Sequence, residues 1–228
     1  MRIVSFNIQH ARTPAGAVDT GSLARWCAGL DARVLALQEV DDGLRRSGRV
    51  DQAGAVAEAT GLEVVFGPAR RVGRRGWYGN ALLASGPVDE VEVVALPRRS
   101  WRREPRSAIV AAVTVDGRRL SVAATHLSTA GDEAATQLAA VLGALARRPS
   151  PRVLLGDLNL HPAQVGPALV GTGLSLADPA APTFPASAPR ARIDHVAVGG
   201  LAVTGVVVMD AAPVSDHRAV VVEVAGVA

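Results

Sequence analysis

Short apolar runs that end in acidic, amide or imidazole side chains recur along this chain, and they constrain its fold more than any other feature. The run VLAL ends in Gln38 and Glu39, and the run VLL is followed after one glycine by Asp157. A carboxylate beside a buried strand is costly unless it is paired or bound to a metal. A single case would indicate only a cap or a satisfied core group. The pattern recurs, however, at Asn7, His126, Asn159, Asp194, His195, Asp216 and His217. So many cases are hard to explain as independent accidents, and they indicate a shared function.

Strand-like segments outnumber helical ones. Helix-start and helix-stop signals predict helices at Gly21–Leu30, Asp51–Thr60 and Asp132–Arg147. The dipeptide Asp116-Gly117 predicts a tight hairpin between two apolar runs. Strands are expected at Arg2–Ile8, Arg33–Leu37, Leu62–Phe66, Asn80–Ala84, Val88–Leu96, Ser107–Val115, Leu120–His126, Arg152–Leu155, Ile193–Val198, Val203–Val208 and Arg218–Val224.

The order of these segments favours two sheets. Hairpins are common and strict strand–helix–strand alternation is absent, so one parallel sheet would not accommodate the pattern. Two mixed β-sheets packed face to face, with helices outside, would bury all the apolar strands. We therefore predict an α/β fold of this type, organised as a single domain over residues 1–228.

The composition excludes several kinds of chemistry. All 24 residues in the Lys+Arg total are arginine, which excludes a Schiff-base lysine, a P-loop lysine and a lysine general base. Cys27 is the single cysteine, so an internal disulfide and a cysteine-rich metal site are excluded. No stretch reaches the length of a clean apolar membrane span. We expect a cytoplasmic protein without stable membrane insertion.

The arginines are concentrated in one part of the chain. Between Arg70 and Arg106 there are nine arginines and four acids, with Trp77, Tyr78 and Trp101 interleaved. This segment is either an ordinary solvated surface or a rim that binds anions. Aromatic residues among arginines are also compatible with a strand of nucleic acid, because bases stack on aromatic rings.

The types of polar residue at the strand ends indicate a hard metal ion. Oxygen donors without cysteine suit Mg²⁺ or Mn²⁺ better than Zn²⁺. His126 and His217 could stabilise a phosphoryl oxyanion or protonate a leaving oxygen, and each would work better with a carboxylate that orients it.

In chain order, the segments SFNI, LQEV, GNALL, THLS, GDLN, RIDHV and SDHRA resemble the motifs of the endonuclease/exonuclease/phosphatase superfamily. That group includes DNase I-like nucleases, exonuclease III-like abasic-site endonucleases, neutral sphingomyelinases, inositol polyphosphate 5-phosphatases and deadenylases. The resemblance extends from Asn7 to His217. It implies a four-layer, DNase I-like α/β sandwich with the active site at one rim.

The resemblance also implies roles for single residues. Glu39 would be the main metal ligand, helped by Asn7 and Asp216. Asp157 would orient or deprotonate the attacking water, and Asn159 would hold a phosphate oxygen.

The remaining roles concern the histidines and the substrate. His217 would stabilise the transition state, oriented by Asp194, and His126 would contact the phosphate or assist the leaving group. Weaker candidates for contacts with substrate are Asn80, Arg103 and Arg106.

The sequence departs from the abasic-site enzymes, which usually carry an acid where this chain has Gln9. This difference favours a phosphodiesterase or phosphatase that acts on a small or lipid-like phosphoester by in-line attack of water, with Mg²⁺ or Mn²⁺ as cofactor. A DNA or RNA endo- or exonuclease is the alternative. A catalytically inactive phosphate-binding module and an unrelated fold are minor alternatives. We expect a monomer.

Overall fold

The computed structural model describes residues 1–177 and 181–226, which form twelve strands and four α-helices. The strands are β1 (Arg2–Asn7), β2 (Val34–Asp42), β3 (Glu63–Val72), β4 (Gly76–Ala84), β5 (Val88–Ala95), β6 (Ser107–Val115), β7 (Arg118–His126), β8 (Arg152–Asp157), β9 (Ser175–Ala177), β10 (Asp194–Gly199), β11 (Leu201–Met209) and β12 (Ala219–Gly226). The helices are α1 (Thr20–Ala28), α2 (Gln52–Thr60), α3 (Gly131–Ala146) and α4 (Pro162–Leu169).

The strands form two six-stranded sheets of the same design. Their strand orders are β11-β12-β1-β2-β4-β3 and β5-β6-β7-β8-β10-β9. Each sheet has one parallel pair at its centre, β1 with β2 and β7 with β8, and antiparallel pairs elsewhere. Because parallel neighbours need a crossover, α1 joins β1 to β2 and α3 joins β7 to β8. The carboxyl ends of both parallel pairs therefore carry Asn7 and Glu39 in one sheet and His126 and Asp157 in the other.

Three hydrophobic clusters separate four layers. One cluster lies between the sheets and includes Ile3, Leu82 and Ile109. A second packs α1 and α2 on the first sheet, and a third packs α3 and α4 on the second sheet. The predicted fold class, two mixed sheets face to face with helices outside, is thus confirmed.

Local sequence signals explain several element boundaries. The Asp19 and Asp51 side chains accept hydrogen bonds from the backbone N–H groups of Ser22 and Gly54, so they cap α1 and α2. Asp116 and Gly117 both have positive φ and join β6 to β7 in a two-residue hairpin. The hairpin predicted from this dipeptide is confirmed.

Two regions differ from the sequence-based expectation. Helix α4 was not predicted, because Pro162, Gly166 and Pro167 give this segment weak helix propensity. Strand β9, which has only three residues, was not predicted either. Strand β4 begins at Gly76 rather than Asn80, and it forms a hairpin with β3 around residues 73–75. Within residues 1–177 and 181–226, no helix has both the length and the apolarity needed to cross a membrane.

Candidate active site

The polar strand ends meet at one rim of the sandwich. In the second sheet, His126 pairs with Asp157 across β7 and β8, and Asp157 pairs with Asp194 across β8 and β10. In the first sheet, Asn7 of β1 pairs with Gln38 of β2. The pairing registers therefore place the side chains on adjacent strands, which the sequence alone could only suggest.

Glu39 reaches this rim because β2 contains a bulge. Leu37 pairs with Ala81 and Val40 pairs with Gly79, so Gln38 and Glu39 lie opposite the single residue Asn80. Glu39 has φ of 59°, which is uncommon for a residue with a side chain. Bulges redirect side chains next to active sites, and strained backbone is concentrated at functional sites.

Asn7 joins the two sheets at the centre of the site. Its amide nitrogen lies 3.1 Å from Glu39 Oε1 and 3.0 Å from Asp157 Oδ2, and it donates to both carboxylates. Its amide oxygen accepts from the backbone N–H of Gln9 at 3.0 Å. Any metal bound by Asn7 would have to use that same oxygen.

His217 is oriented by a buried carboxylate. Its Nδ1 lies 3.0 Å from Asp194 Oδ2, and the tilted Phe184 ring packs on the imidazole with centroids 4.7 Å apart. Burial lowers the pKa of His217, but the charges of Asp194, Asp157 and Asp216 outweigh burial and raise the pKa to about 10. His217 is therefore protonated at neutral pH, and its Nε2 lies 3.8 Å from Asp157 Oδ2.

His126, unlike His217, is uncharged. Burial and the adjacent Arg106 guanidinium hold the pKa of His126 well below its usual value, so the ring is neutral. Arg106 Nη1 lies 3.1 Å from Nδ1. Because arginine can only donate, Nδ1 accepts and the ring proton is on Nε2, which lies 3.5 Å from Asp157 Oδ2. His126 thus presents a neutral N–H donor to the site.

Asp157 is the residue on which these groups converge. Burial raises the pKa of Asp157, and the nearby Asp194 charge adds to the effect, while His217 and the hydrogen bonds from Asn7 and Asn159 oppose it. A carboxylate with a raised pKa and several oriented donors around one oxygen has the properties of a general base or water-positioning group.

Glu39 and Asp216 form a second pair of carboxylates. Burial raises the pKa of both, and the charge of Asp216 contributes to the shift at Glu39. Asp216 Oδ2 accepts from Gln9 Nε2 at 2.7 Å, whereas Asp216 Oδ1 is buried without a hydrogen-bond partner among the described residues. A hard cation would satisfy that oxygen and offset the repulsion, so these residues fit Mg²⁺ or Mn²⁺.

A second group could also hold a metal ion. Asp157, Asp194 and His217 each place a ligand atom within 4.8 Å of the others, and all three are buried. Two of them already bind each other through His217 Nδ1. The Glu39–Asp216 pair carries the unpartnered oxygen and is the more exposed of the two candidates.

The other sequence-predicted residues lie at different distances from this centre. Asn159 donates from its side chain to Leu127 O and from its backbone N–H to Asp157 Oδ1. Asn80 is buried and donates to Ser107 O. Arg106 is inside the cluster, as described above. Arg103 is exposed, and no described hydrogen bond or ion pair joins its side chain to the cluster.

Sequence reasoning missed four residues of the site. Gln9 binds Asp216, and His10 Nδ1 lies 4.0 Å from Glu39 Oε2. The charges of Glu39 and Arg106 both affect the pKa of Tyr78, which burial raises. Phe184 covers His217. Gln9 and His10 follow Asn7 directly, which was a usable signal, whereas the approach of Tyr78 and Phe184 depends on long-range packing.

A family model described as "Endonuclease/Exonuclease/phosphatase family" matches residues 4–217 of the chain. The chain belongs to this family. Its members are hydrolases that act on phosphoesters. Among curated proteins, none has a sequence that matches this member of the family significantly.

Solved structures support the same assignment. An endonuclease/exonuclease/phosphatase from Beutenbergia cavernae is 26% identical with a TM-score of 0.80, covering 99% of this chain and 71% of the other. A mannosyl-6-phosphatase from Bacteroides thetaiotaomicron is 19% identical with a TM-score of 0.78, covering 99% of both chains. The human Nocturnin catalytic domain with bound sulfate is 18% identical with a TM-score of 0.73, covering 100% of this chain and 94% of the other. The last two comparisons show the shared fold of the family.

Proposed function

We propose that this protein is a divalent-metal-dependent phosphoester hydrolase that uses in-line attack of water on phosphorus. The observation that carries the proposal is the convergence on Asp157 Oδ2 of the Asn7 amide at 3.0 Å, His126 Nε2 at 3.5 Å and His217 Nε2 at 3.8 Å. Asp157 is thus a base with three donors around one oxygen, at the rim of the sandwich where the polar strand ends meet.

Asp157 is the residue that would position and deprotonate the water. Its raised pKa brings it closer to neutral pH, where a general base is most effective. Asn7 and the backbone N–H of Asn159 hold the two carboxylate oxygens at 3.0 and 3.1 Å, so the group is oriented before substrate arrives. Such orientation removes reorganisation from the chemical step.

The two histidines would stabilise the phosphoryl group in complementary ways. Protonated His217 supplies positive charge to the oxygens on which negative charge develops. Neutral His126 supplies an N–H donor and does not compete for the proton on His217. Asp194 raises the pKa of His217, whereas burial and then Arg106 lower the pKa of His126, so the two rings differ in charge.

Glu39 and Asp216, with the Asn7 amide oxygen, would hold the divalent cation. A bound Mg²⁺ or Mn²⁺ polarises a phosphoryl oxygen and offsets charge on the substrate. Gln9 would keep Asp216 in place through its 2.7 Å hydrogen bond.

A small phosphoester is the substrate class that we favour. The donor atoms of Asn7, His126 and His217 all lie within 3.8 Å of one oxygen, Asp157 Oδ2, so the site presents its donors to a single small group. The fold neighbour from Bacteroides thetaiotaomicron, named as a mannosyl-6-phosphatase, supports the same class. Lipid-like phosphoesters and nucleic acid are the alternatives that an assay has to separate.

A panel assay tests this function. The full chain with Mg²⁺ or Mn²⁺ is offered sugar phosphates, inositol phosphates, a bis-aryl phosphodiester, sphingomyelin, RNA, plasmid DNA and an abasic-site duplex. Asp157→Asn is the inactive comparison, and Asp116→Asn, in the β6–β7 hairpin at the other end of β7, is the matched control. Hydrolysis by wild type and Asp116→Asn but not by Asp157→Asn supports the proposal, and equal rates in all three would contradict it.

A further inference from the structure

An arginine-lined groove lies beside the candidate site, and the metal and catalytic residues do not account for it. It has a volume of about 1240 Å³ and lies between the segment that follows β2 and the β3–β4 hairpin. Arg45, Arg46 and Arg49 line one side. The other side carries Arg70, Arg71, Arg74 and Arg75, and no acidic residue contributes to the lining.

The two sides are held close together. A Cβ atom on Gly43 would lie 3.1 Å from Arg75 O, and one on Gly76 would overlap the Leu44 side chain. Gly43 also has φ of +67°, which favours glycine. The backbone therefore forces two arginine-bearing segments together despite the repulsion between their charges.

Most of these arginines have no acidic partner, unlike many arginines elsewhere on the surface. Among the described residues, no ion pair joins Arg45, Arg49, Arg71, Arg74 or Arg75 to a carboxylate. Only the two innermost are paired, Arg46 with Asp41 and Arg70 with Glu104. By contrast, the acids of β5 neutralise Arg119, Arg147 and Arg148.

Tyr78 connects the groove to the site. Its ring lies between Arg46 and Arg70, with each guanidinium carbon 5.5 Å from the ring centroid. On β4, Tyr78 is two residues before Asn80, which lies opposite Glu39, and Glu104 pairs with both Arg70 and Arg106. The groove therefore adjoins the site through Tyr78 and Glu104.

We propose that this groove is a second anion site that holds the non-reacting phosphate groups of a small ligand carrying several phosphates. Guanidinium groups bind phosphate oxygens through pairs of charge-assisted hydrogen bonds, and the unpaired arginines present several such groups in one concave space. Binding of such a ligand does not depend on the proposed hydrolase function. Only the further step, that this ligand is the substrate, rests on that function. In that case a second phosphate would lie in the groove while the reacting phosphate lies at Asp157.

The lining of the groove argues against a strand of nucleic acid as the occupant, because it contains no aromatic residue among those that the structure describes. Non-specific strand binding combines phosphate contacts with exposed aromatic faces on which bases stack. Tyr78 is buried, and the exposed residues Trp77 and Trp101 do not line the groove. The groove therefore offers phosphate contacts without a stacking surface.

Calorimetric titration with inorganic tripolyphosphate tests the proposal without turnover. EDTA is included so that phosphate cannot bind through a metal at the catalytic site. The groove variant is Arg45→Gln/Arg75→Gln, and the matched control is Arg33→Gln/Arg118→Gln. The control also removes two exposed charges, but these lie at the amino-terminal ends of β2 and β7, away from the polar rim. Asp157→Asn separates groove binding from catalysis.

We expect tripolyphosphate to bind wild type, Asp157→Asn and the control alike. The groove variant should bind at least about tenfold more weakly, because two charge-assisted contacts are lost. Equal weakening in both double variants would overturn the proposal in favour of diffuse surface charge. If orthophosphate binds as tightly as tripolyphosphate, a ligand with several phosphates is excluded. If an oligothymidylate binds more tightly than tripolyphosphate through the same arginines, the occupant of the groove is a nucleic acid strand instead.

The same titration separates this inference from the hydrolase function. Arginine-dependent binding by a wild-type protein that hydrolyses no phosphoester would uphold the anion site and overturn the proposed catalysis. Hydrolysis with no tripolyphosphate binding would uphold the catalysis and overturn the anion site.

Discussion

His217 and Asp194 are joined by a buried hydrogen bond, with the ring Nδ1 3.0 Å from the carboxylate Oδ2. The two residues lie on different elements, the segment before β12 and the start of β10. Burial alone would lower the pKa of the imidazole, but the Asp194 carboxylate, with smaller contributions from Asp157 and Asp216, raises the pKa of His217 to about 10. Asp194 therefore orients the histidine that faces the reacting group, and among the three nearby carboxylates it contributes most to the charge of that histidine.

Replacing Asp194 with Asn should weaken the stabilisation of that charge, because the largest of the contributions that raise the pKa of His217 is removed. We expect the pKa of His217 to fall and kcat/KM to decrease on the order of a thousandfold, by analogy with loss of the carboxylate that orients a catalytic histidine. An NMR titration of the His217 ring, together with steady-state kinetics, measures both effects. Asp116→Asn is the isosteric control. A variant that keeps a charged His217 and wild-type activity would show that this carboxylate has no role in catalysis.

Glu39→Gln should stabilise the metal-free protein while abolishing its response to metal. Burial raises the pKa of Glu39, so the ionised side chain costs stability at any pH above the pKa of the unfolded state, and a neutral isostere removes that cost. Gln can still accept the hydrogen bond from Asn7. In wild type, added Mg²⁺ or Mn²⁺ should raise the melting temperature because the cation binds only the folded state.

Thermal melts in EDTA and in excess metal measure these changes, with about 2–4 °C expected per kcal/mol for a chain of this size. Hydrolysis by wild type should stop in EDTA and return with Mg²⁺. Turnover that survives exhaustive chelation, or a metal response retained in Glu39→Gln, would contradict the proposed cation site.

Much of the fold could be predicted because it depends on local periodicity. The alternation of apolar residues identified most strands, and Asp-Gly identified the β6–β7 hairpin. The rim of polar residues was visible because strand ends are readable in sequence and parallel neighbours share an edge. The weak helix α4 was missed because its proline and glycine content hid a segment that tertiary packing stabilises.

The finer parts of the site depend on contacts that no local pattern encodes. The bulge that presents Glu39 is a mismatch of two residues of β2 against Asn80, and a register shift leaves no mark on composition. The arginine groove exists because residues 43–49 and 70–76 pack together, so the segment Arg70–Arg106 showed only part of it. Arg99, within that segment, pairs instead with Asp132 on α3.

Replacing Gly156 with alanine should destabilise the protein, whereas the same replacement at Gly143 in helix α3 should not. Its φ is +154°, and a Cβ atom there would overlap the carbonyl oxygen of Thr125 on β7. Gly156→Ala should therefore destabilise the protein by roughly 2–4 kcal/mol, the range for backbone strain plus overpacking. Gly143→Ala in α3 has open space around the new methyl group and should stabilise by about 0.5–1 kcal/mol. Urea unfolding measures the free energy of unfolding of both variants. Equal changes in that free energy would refute the steric argument.

Binding of duplex DNA to this protein should depend only weakly on salt. A nuclease that grips a duplex neutralises several phosphates at once, and its binding falls with a log–log slope of about −0.9 per phosphate contacted. The arginines of the groove line a concave space rather than a flat track, Arg99 is paired with Asp132, and Arg70 and Arg106 share Glu104. We therefore expect a slope no steeper than about −2, equivalent to about two phosphate contacts. Binding of Asp157→Asn to a fluorescent duplex between about 50 and 200 mM salt provides the measurement, with Arg45→Gln/Arg75→Gln added to that variant to locate the contacts. Tight binding that weakens a hundredfold or more over this range would contradict this expectation and favour the nuclease alternative.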